Sequence, residues 1–170
     1  MIDAPLGLSN LLTFFLACAC FGTMSAQVRA EVVPVWRLAV PAVFAAIVAL
    51  VLLAGVFQAT PMHDGEWMVA LIAGGIAGRL RGKTLPVEVD RVWGLVRLPR
   101  VLDGRVAAGL IVVMSIVDFG SAALGAPFVD PVHVASITAA CAGYIGYRAI
   151  IVAMRSGYGT HVELHAAQRR

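Results

Sequence analysis

An acidic side chain, Asp118, lies twelve positions into the 21-residue apolar stretch 106–126. A carboxylate near the centre of a bilayer costs ~2.5–3.5 kcal/mol even on lenient insertion scales, so intramembrane acids usually face protein or a water path. Burial also favours the neutral carboxylic acid over the carboxylate. Asp118 therefore indicates one of two roles: a proton or cation relay, or a protonated acid that holds helices together, and the second is favoured.

Other polar side chains lie at a similar depth in the neighbouring apolar stretches and are candidate hydrogen-bond partners of Asp118. They are Asn10, Thr13, Cys141 and Tyr144. With Asp118 they form the candidate intramembrane polar site. No catalytic residue is predicted and the chain is expected not to be an enzyme, because it contains no Walker loop, Gly-x-Ser-x-Gly elbow or His-Glu-x-x-His helix.

Two histidines, His63 and His133, precede apolar stretches and have acidic neighbours. Imidazole and carboxylate groups could together bind Zn or another divalent cation if the two turns meet. Without a ligand-spacing motif, ordinary surface residues are the favoured interpretation, and no metal or other cofactor is expected.

Three cysteines, Cys18, Cys20 and Cys141, all fall in apolar stretches, and Cys-x-x-Cys is absent. Side chains two residues apart on a helix point in different directions, so Cys18 and Cys20 form no ready dithiol. Packing is the favoured role, and thiol-redox chemistry is the alternative.

The composition places these residues in a membrane. Apolar residues make up 60% of the 170 residues and charged residues 14%, whereas a soluble domain averages roughly 25% charged residues. Since one span takes ~20 apolar residues, we predict an all-α membrane protein with five spans at about 6–27, 38–57, 62–80, 106–126 and 134–154. The third has the shortest uncharged core, residues 67–78, and relies on an interfacial Trp67 and a snorkelling Arg79.

The distribution of positive charge predicts the orientation of these spans. All 13 Lys and Arg residues fall in the segments 28–37 and 79–105 or from residue 148 onward, whereas the amino terminus and the loops 58–66 and 127–133 have none. Cytoplasmic loops collect Lys and Arg. The pattern predicts an outside amino terminus, an inside carboxyl terminus and a location in the bacterial inner membrane, and the lack of a basic leader argues against a cleaved signal peptide.

The polar segment 82–103 is predicted to form a small cytoplasmic β-hairpin, followed at the end of the chain by a cytoplasmic tail, 155–170. Apolar and polar residues alternate on both sides of a turn at 90–93. Pro86 restricts the first strand to an edge, and Trp93 and Leu95 suggest that the hairpin leans on the membrane surface. A solvated positive-inside loop is the favoured alternative to a lipid-binding element, and nucleic-acid binding is not expected.

A comparison of the chain with itself suggests a parallel repeat of two helical hairpins after a leading helix. At an offset of about 70, Gly55, Pro61 and His63 match Gly125, Pro131 and His133, and Ala73, Gly74, Ile76 and Arg79 match Ala142, Gly143, Ile145 and Arg148. Small residues let helices approach closely in lipid. Gly74, Gly78, Gly143 and Gly146 are therefore predicted to pack helices, within one chain rather than between two.

One part of the sequence resembles a known family. The residues that carry the resemblance are Gly78, Arg79, Arg81, Gly82, Lys83, Val87, Val89, Asp90, Gly94, Val96, Leu98 and Pro99, together with the small-residue run from Gly143 to Arg148. Over Trp67 to Arg148 the chain is similar to the CcdC-like proteins and related uncharacterised bacterial membrane proteins. The resemblance implies a small polytopic protein and transfers no activity; Asp118 stands where such proteins often carry a basic residue.

From these patterns we expect a structural or accessory component of a membrane complex. Its expected partners are the lipid bilayer and a membrane protein or a second copy of the chain. A small proton- or ion-coupled transporter or channel subunit that uses Asp118 is one alternative. A membrane redox or metal-handling accessory factor is another.

Overall fold

Five α-helices and a three-stranded sheet form the described part of the protein. The computed structural model describes residues 7–30, 32–56, 61–159 and 161–164, with the backbone alone at 56 and 61–64. The helices are α1 (Leu8–Ala30), α2 (Ala39–Val56), α3 (Pro61–Thr84), α4 (Asp103–Leu124) and α5 (Pro131–Ser156). The strands are β1 (Val32–Pro34), β2 (Glu88–Asp90) and β3 (Leu95–Arg97), and a 3₁₀ turn (Val35–Leu38) leads from β1 into α2.

By length and hydropathy, four segments of this fold can cross a membrane: Leu8–Ala30, Val35–Gly55, Asp103–Leu124 and Pro131–Ser156. The predicted all-α membrane class is thus supported at the level of four candidate spans. Helix α3 has 24 residues, but its polar first turns and the cations of its last turn, Arg81 and Lys83, make it less apolar than the others.

Helix α5 lies at the centre of the bundle. It packs against α2, α3 and α4, and α1 packs against α2 and α4. The residues at these contacts are mostly small, with Ala17, Ala45, Ala108 and Ala139 fully buried. Small side chains let helix backbones approach closely, and many larger apolar side chains, such as Leu50, Ile72 and Ile116, lie on the outside of the bundle.

The sheet caps one end of the bundle, which we call the sheet end. Here α1, α3 and α5 end and α2 and α4 begin. Gln27 near the end of α1 donates to the carbonyl of Arg37, and Arg155 near the end of α5 donates to the carbonyls of Gly82 and Leu85. We call the other end of the bundle the opposite end.

Glycines bring α3 and α5 into close parallel contact. A Cβ built on Gly74, Gly78 or Gly143 would clash with a backbone carbonyl of the neighbouring helix, that of Ala140, Tyr144 and Leu71 respectively. Gly146 differs, since a Cβ there would meet none of the described residues within 4 Å. Among those residues, Gly146 is therefore not at a close helix contact, unlike the other three glycines of the prediction.

The contact between α3 and α5 is reciprocal. Gly74 meets the backbone of Ala140, and Gly143 meets the backbone of Leu71; residues 71 and 140 have the same separation in the chain as Gly74 and Gly143 of the predicted repeat. The two halves are not equivalent overall, because α5 also packs against α2 and α4 whereas the extensive contacts of α3 are with α5.

The predicted hairpin is present and is joined by a third strand. β2 and β3 pair in antiparallel fashion, and Gly94 in the turn between them has a φ of 60°, which favours glycine. β1 pairs with the other edge of β3, so the strand order is β1-β3-β2. Val96 at the centre of β3 is fully buried and lies opposite both Val33 and Val89.

Two details of the predicted hairpin are wrong. Helix α3 continues to Thr84, so the extended segment begins after residue 84 rather than at 82. Leu95 is buried in the sheet rather than facing a membrane surface, whereas Trp93 is exposed. A search for alternation within 82–103 does not reveal β1, which pairs with β3 and places Leu95 opposite Pro34.

The chain after α5 returns to the outer edge of β2. The amide of Val162 donates to the carbonyl of Val89 at 2.9 Å, and His161 forms a parallel bridge with Val89. Leu164 is buried, and its amide donates to the Asp90 carboxylate at 3.1 Å. This segment covers part of a strand edge that would otherwise invite pairing with another chain.

Candidate functional site

A polar cluster forms around Asp103 at the sheet end. Asp103 is the first residue of α4, and its Oδ1 accepts a hydrogen bond from the amide of Gly104 at 2.8 Å. The amino terminus of a helix carries unpaired N–H groups and a partial positive charge, which stabilise a carboxylate in the first turn. The start of α4 thus fixes the carboxylate where two other helices end.

Side chains from α3 and α5 converge on this carboxylate. Arg81 places Nε 2.7 Å from Oδ2, and Tyr144 donates its hydroxyl to the same oxygen at 2.8 Å. Arg148 Nη2 lies 3.7 Å from Oδ1. We call Arg81, Asp103, Tyr144 and Arg148 the Asp103 cluster; it links three helices through one carboxylate.

The side chains of the Asp103 cluster differ in their exposure to solvent. The side chain of Arg81 is 40% exposed, that of Asp103 21% and that of Arg148 9%. The hydrogen bond to Asp103 and the charge of that carboxylate raise the pKa of Arg81 above its usual value. Two guanidinium groups against one carboxylate leave the cluster with a net positive charge.

Arg148 is held mainly by charge. Its Nε is buried and has no hydrogen-bond partner among the described residues. A cavity of ≈10 Å³ beside it is lined by Met24, Gln27, Leu38, Leu98, Ile145, Arg148, Ala149 and Val152. This space has the size that a single water needs, so the geometry favours a structural ion-pair cluster over a substrate site.

The predicted intramembrane polar site is only partly assembled. Asn10 donates through Nδ2 to Oδ2 of Asp118 at 2.9 Å and so links α1 to α4. The carbonyl oxygen of the Asn10 side chain accepts from the amide of Gly7 at 3.2 Å. The hydroxyl of Thr13 instead donates to the carbonyl of Ser9 at 2.7 Å.

Tyr144 and Cys141, the remaining predicted partners, do not pair with Asp118 in the structure. The hydroxyl of Tyr144 belongs to the Asp103 cluster, because it is directed toward the sheet end. Cys141 is buried close to Cys20, whose thiol donates to the carbonyl of Pro41 at 3.3 Å. All three cysteines are free, and Cys18 is exposed where Cys20 is buried, as their helical spacing predicts.

The pair of Asn10 and Asp118 lies closer to a helix end than the predicted span implied. Helix α4 ends at Leu124, which places Asp118 ~9 Å from that end at ~1.5 Å per residue. Asn10 lies in the first turn of α1. The pair therefore sits toward the opposite end of the bundle and is separate from the Asp103 cluster.

Of the two predicted histidines, His133 is described by the structure and the side chain of His63 is not. His133 Nδ1 lies 2.9 Å from Oε1 of Glu66, and both side chains are exposed. The side chain of His63 lies outside the described residues. Within the ranges that the structure describes, no group of three His, Cys, Asp or Glu residues is placed to hold a metal ion. The His133–Glu66 pair joins the beginnings of α5 and α3 at the opposite end.

Asp103 itself was missed by the sequence predictions. The sequence did contain a sign of it, since Asp103 lies just before the apolar stretch 106–126, Arg81 follows the third predicted span, and Arg148 lies in the last third of the fifth. Five alternating spans place Arg81 and Asp103 at one end of a bundle and Arg148 on the side of that end. The sequence alone did not show which face of α5 packs against α4, and so did not predict that Tyr144 and Arg148 would meet Asp103.

Comparison of the chain with family models, curated proteins and solved structures found no match. The resemblance to the CcdC-like proteins therefore stays a prediction.

Proposed function

We propose that this protein is a non-enzymatic bacterial inner-membrane protein with five spans and a cytoplasmic sheet end, and that it is a structural or accessory component of a membrane complex. The observation that carries the proposal is the position of its cations. Every Lys and Arg of the described chain belongs to the sheet end: Arg29, Arg37, Arg79, Arg81, Lys83, Arg91, Arg97, Arg100, Arg105, Arg148 and Arg155. Such a one-sided distribution is typical of the cytoplasmic face of a membrane protein.

The packing of α3 supports its role as the fifth span. It lies parallel to α5, a candidate span, along the glycine contacts from Gly74 to Gly82. Its 24 residues correspond to ~36 Å of helix, longer than a hydrocarbon core of ~30 Å. Its apolar side chains Met68, Val69, Ile72 and Ile76 are exposed, a surface that suits lipid and not water.

The sheet end supports an accessory role. The sheet has its own buried core, formed by Val33, Leu38, Leu85, Val96, Leu98 and Val152. Its hairpin turn presents Val92 and Trp93 as exposed apolar side chains, at 75% and 59%, next to Arg91. An apolar tip with adjacent cations fits either anionic headgroups, at ~1 kcal/mol per nearby cation, or a partner protein.

Chemical crosslinking in cells followed by purification in mild detergent tests the accessory role. We expect a reproducible species larger than the monomer that contains this chain. Trp93→Ala should deplete that species, whereas Tyr158→Ala, which removes an exposed aromatic outside the hairpin, should not. Repeated recovery of the unpartnered monomer alone would count against an accessory role.

A second candidate function, a small proton- or ion-coupled transporter or channel subunit, is favoured by the half-buried Asp118 and its bond to Asn10. In this case Asp118→Asn, which keeps the shape of the side chain and removes its carboxyl group, should abolish pH-dependent flux in proteoliposomes. Asp130→Asn, at an exposed acid after α4, is the control. If Asp118→Asn leaves both abundance and flux unchanged, the relay hypothesis fails.

A further inference from the structure

A groove of ≈370 Å³ opens at the sheet end between α1, β1 and the beginning of α2. Its volume is within the range of small-molecule sites, ~300–1,000 Å³. It is lined by Thr23, Ala26, Gln27, Ala30, Val33, Trp36, Arg37 and Val40. The walls come from the last two turns of α1 and from β1, and the 3₁₀ turn holds Trp36 and Arg37 at the mouth.

Two polar side chains of the groove wall donate hydrogen bonds within the protein. The hydroxyl of Thr23 donates to the carbonyls of Ala19 and Cys20 within its own helix, and the amide of Gln27 donates to the carbonyl of Arg37. The interior wall is therefore largely apolar. The Arg37 guanidinium is the one charged group among the described lining residues.

Trp36 and Arg37 together form the mouth of the groove. The Arg37 guanidinium carbon lies 5.5 Å from the centroid of the Trp36 ring, a distance at which a cation is attracted to an aromatic face. Both side chains are exposed. Tryptophan prefers the membrane–water interface, and an exposed arginine there meets lipid phosphates.

We propose that this groove binds one anionic phospholipid of the cytoplasmic leaflet. The headgroup phosphate pairs with Arg37, the glycerol region lies against Trp36, and the upper part of one acyl chain lies along Ala26, Ala30 and Val40. A net negative headgroup complements the single cation of the mouth, whereas a zwitterionic headgroup brings no net charge. The inference rests on the membrane placement proposed above, through α1 and α2, which both belong to candidate spans.

Quenching of Trp36 fluorescence by brominated lipid tests the proposal. In a chain with Trp67→Phe and Trp93→Phe, the remaining indole reports on the groove. The protein is reconstituted in phosphatidylcholine vesicles that contain a small fraction of brominated phosphatidylglycerol or, in parallel, of brominated phosphatidylcholine. We expect about fivefold enrichment of the anionic lipid around Trp36, the equivalent of ~1 kcal/mol from one cation near an anionic headgroup.

Arg37→Gln should remove this enrichment. Lys83→Gln should retain it, because Lys83 is an exposed cation at the same end of the bundle that does not line the groove. Equal quenching by the two lipids, or a preference that survives Arg37→Gln, would overturn the proposal. Efficient crosslinking of Trp36→Cys between two copies without any lipid preference would assign the groove to a second copy and would also overturn it.

This test is separate from the test of orientation. The vesicles present the same lipids in both leaflets, so the result does not depend on the direction of insertion or on whether α3 crosses. A failed lipid preference therefore overturns the groove proposal alone, and a wrong orientation is detected by the labelling of individual cysteines.

Discussion

Asp103 gathers side chains from two other helices, whereas the described side-chain partner of Asp118 is Asn10. The Asn10–Asp118 pair could be predicted because both residues interrupt apolar runs at matching depths. The partnership of Tyr144 with Asp103 could not, because the direction of the tyrosine depends on which face of α5 meets α4. Packing, rather than the depth of a residue in its span, decides the partner.

Removing the charge of Asp103 should destabilise the bundle. We expect Asp103→Asn to lower the free energy of unfolding by roughly 2 kcal/mol, less than the ~3–5 kcal/mol of a fully buried pair because Asp103 is partly exposed. The loss leaves Arg148 buried without a counter-charge. Thermal unfolding in detergent, followed by circular dichroism, measures the effect.

Glu88 supplies the matched control. It forms an ion pair with Arg97 at 2.8 Å, but both side chains are largely exposed. Glu88→Gln should therefore cost less than ~1 kcal/mol. Equal destabilisation by the two substitutions would show that the Asp103 cluster has no special role.

Among the elements, α3 and α5 lie parallel, and glycines let the backbone of each helix lie against the backbone of the other. The residues of this contact could be predicted from their small size and matched spacing. That the close contact joins the third and fifth helices was not predicted, because the sequence gives no pairing between helices that are not neighbours in the chain. Gly74 and Gly143 meet the opposite helix reciprocally, and the repeat itself stays a prediction.

Alanine substitution should destabilise the protein at a glycine in the contact between α3 and α5, and not at a glycine outside that contact. Gly78→Ala should lower the free energy of unfolding by roughly 1–3 kcal/mol, because the new Cβ would press on the backbone of Tyr144 and force the helices apart. Gly146→Ala should be neutral or stabilise by up to ~1 kcal/mol, since alanine favours a helix and no described residue lies within 4 Å of the added Cβ. Resistance to heating in detergent measures both variants, and a neutral Gly78→Ala would contradict the contact.

The buried carboxylate of Asp90 should hold the chain after α5 against β2. Its Oδ1 accepts from the amides of Val92 and Trp93, and its Oδ2 from the amide of Leu164. Hydrogen bonds to charged groups contribute ~1.5–3 kcal/mol, so Asp90→Ala should speed hydrogen exchange at the Leu164 amide by at least about tenfold. Glu163→Ala, at an exposed acid next to Leu164, should leave that exchange rate unchanged; similar acceleration in both variants would contradict a role for Asp90.

For the whole molecule, the sequence predicts the helical membrane class and the alternation of cationic segments well. It predicts the small sheet less completely. Apolar runs and alternating cations extend over 170 residues, so local exceptions do not hide them. β1 was not predicted because its three residues lie between two helices, and a strand that short is identified only by its partner. The sheet end therefore has more folded structure than its loops suggested.

The five-span arrangement predicts which residues lie on the same side of the membrane. Glu66 at the beginning of α3 and Val129 between α4 and α5 lie at the opposite end, whereas Val92 in the hairpin and Tyr158 after α5 lie at the sheet end. All four are exposed. A cysteine at each position can therefore react with a reagent that reaches it.

Labelling of single cysteines with a membrane-impermeant maleimide tests this arrangement, in a chain whose own three cysteines are replaced by alanine. In intact spheroplasts, Glu66→Cys and Val129→Cys should be labelled, and Val92→Cys and Tyr158→Cys should be labelled only after permeabilisation. Labelling of Glu66→Cys and Val92→Cys from the same side would contradict the account, because α3 would then not cross the membrane.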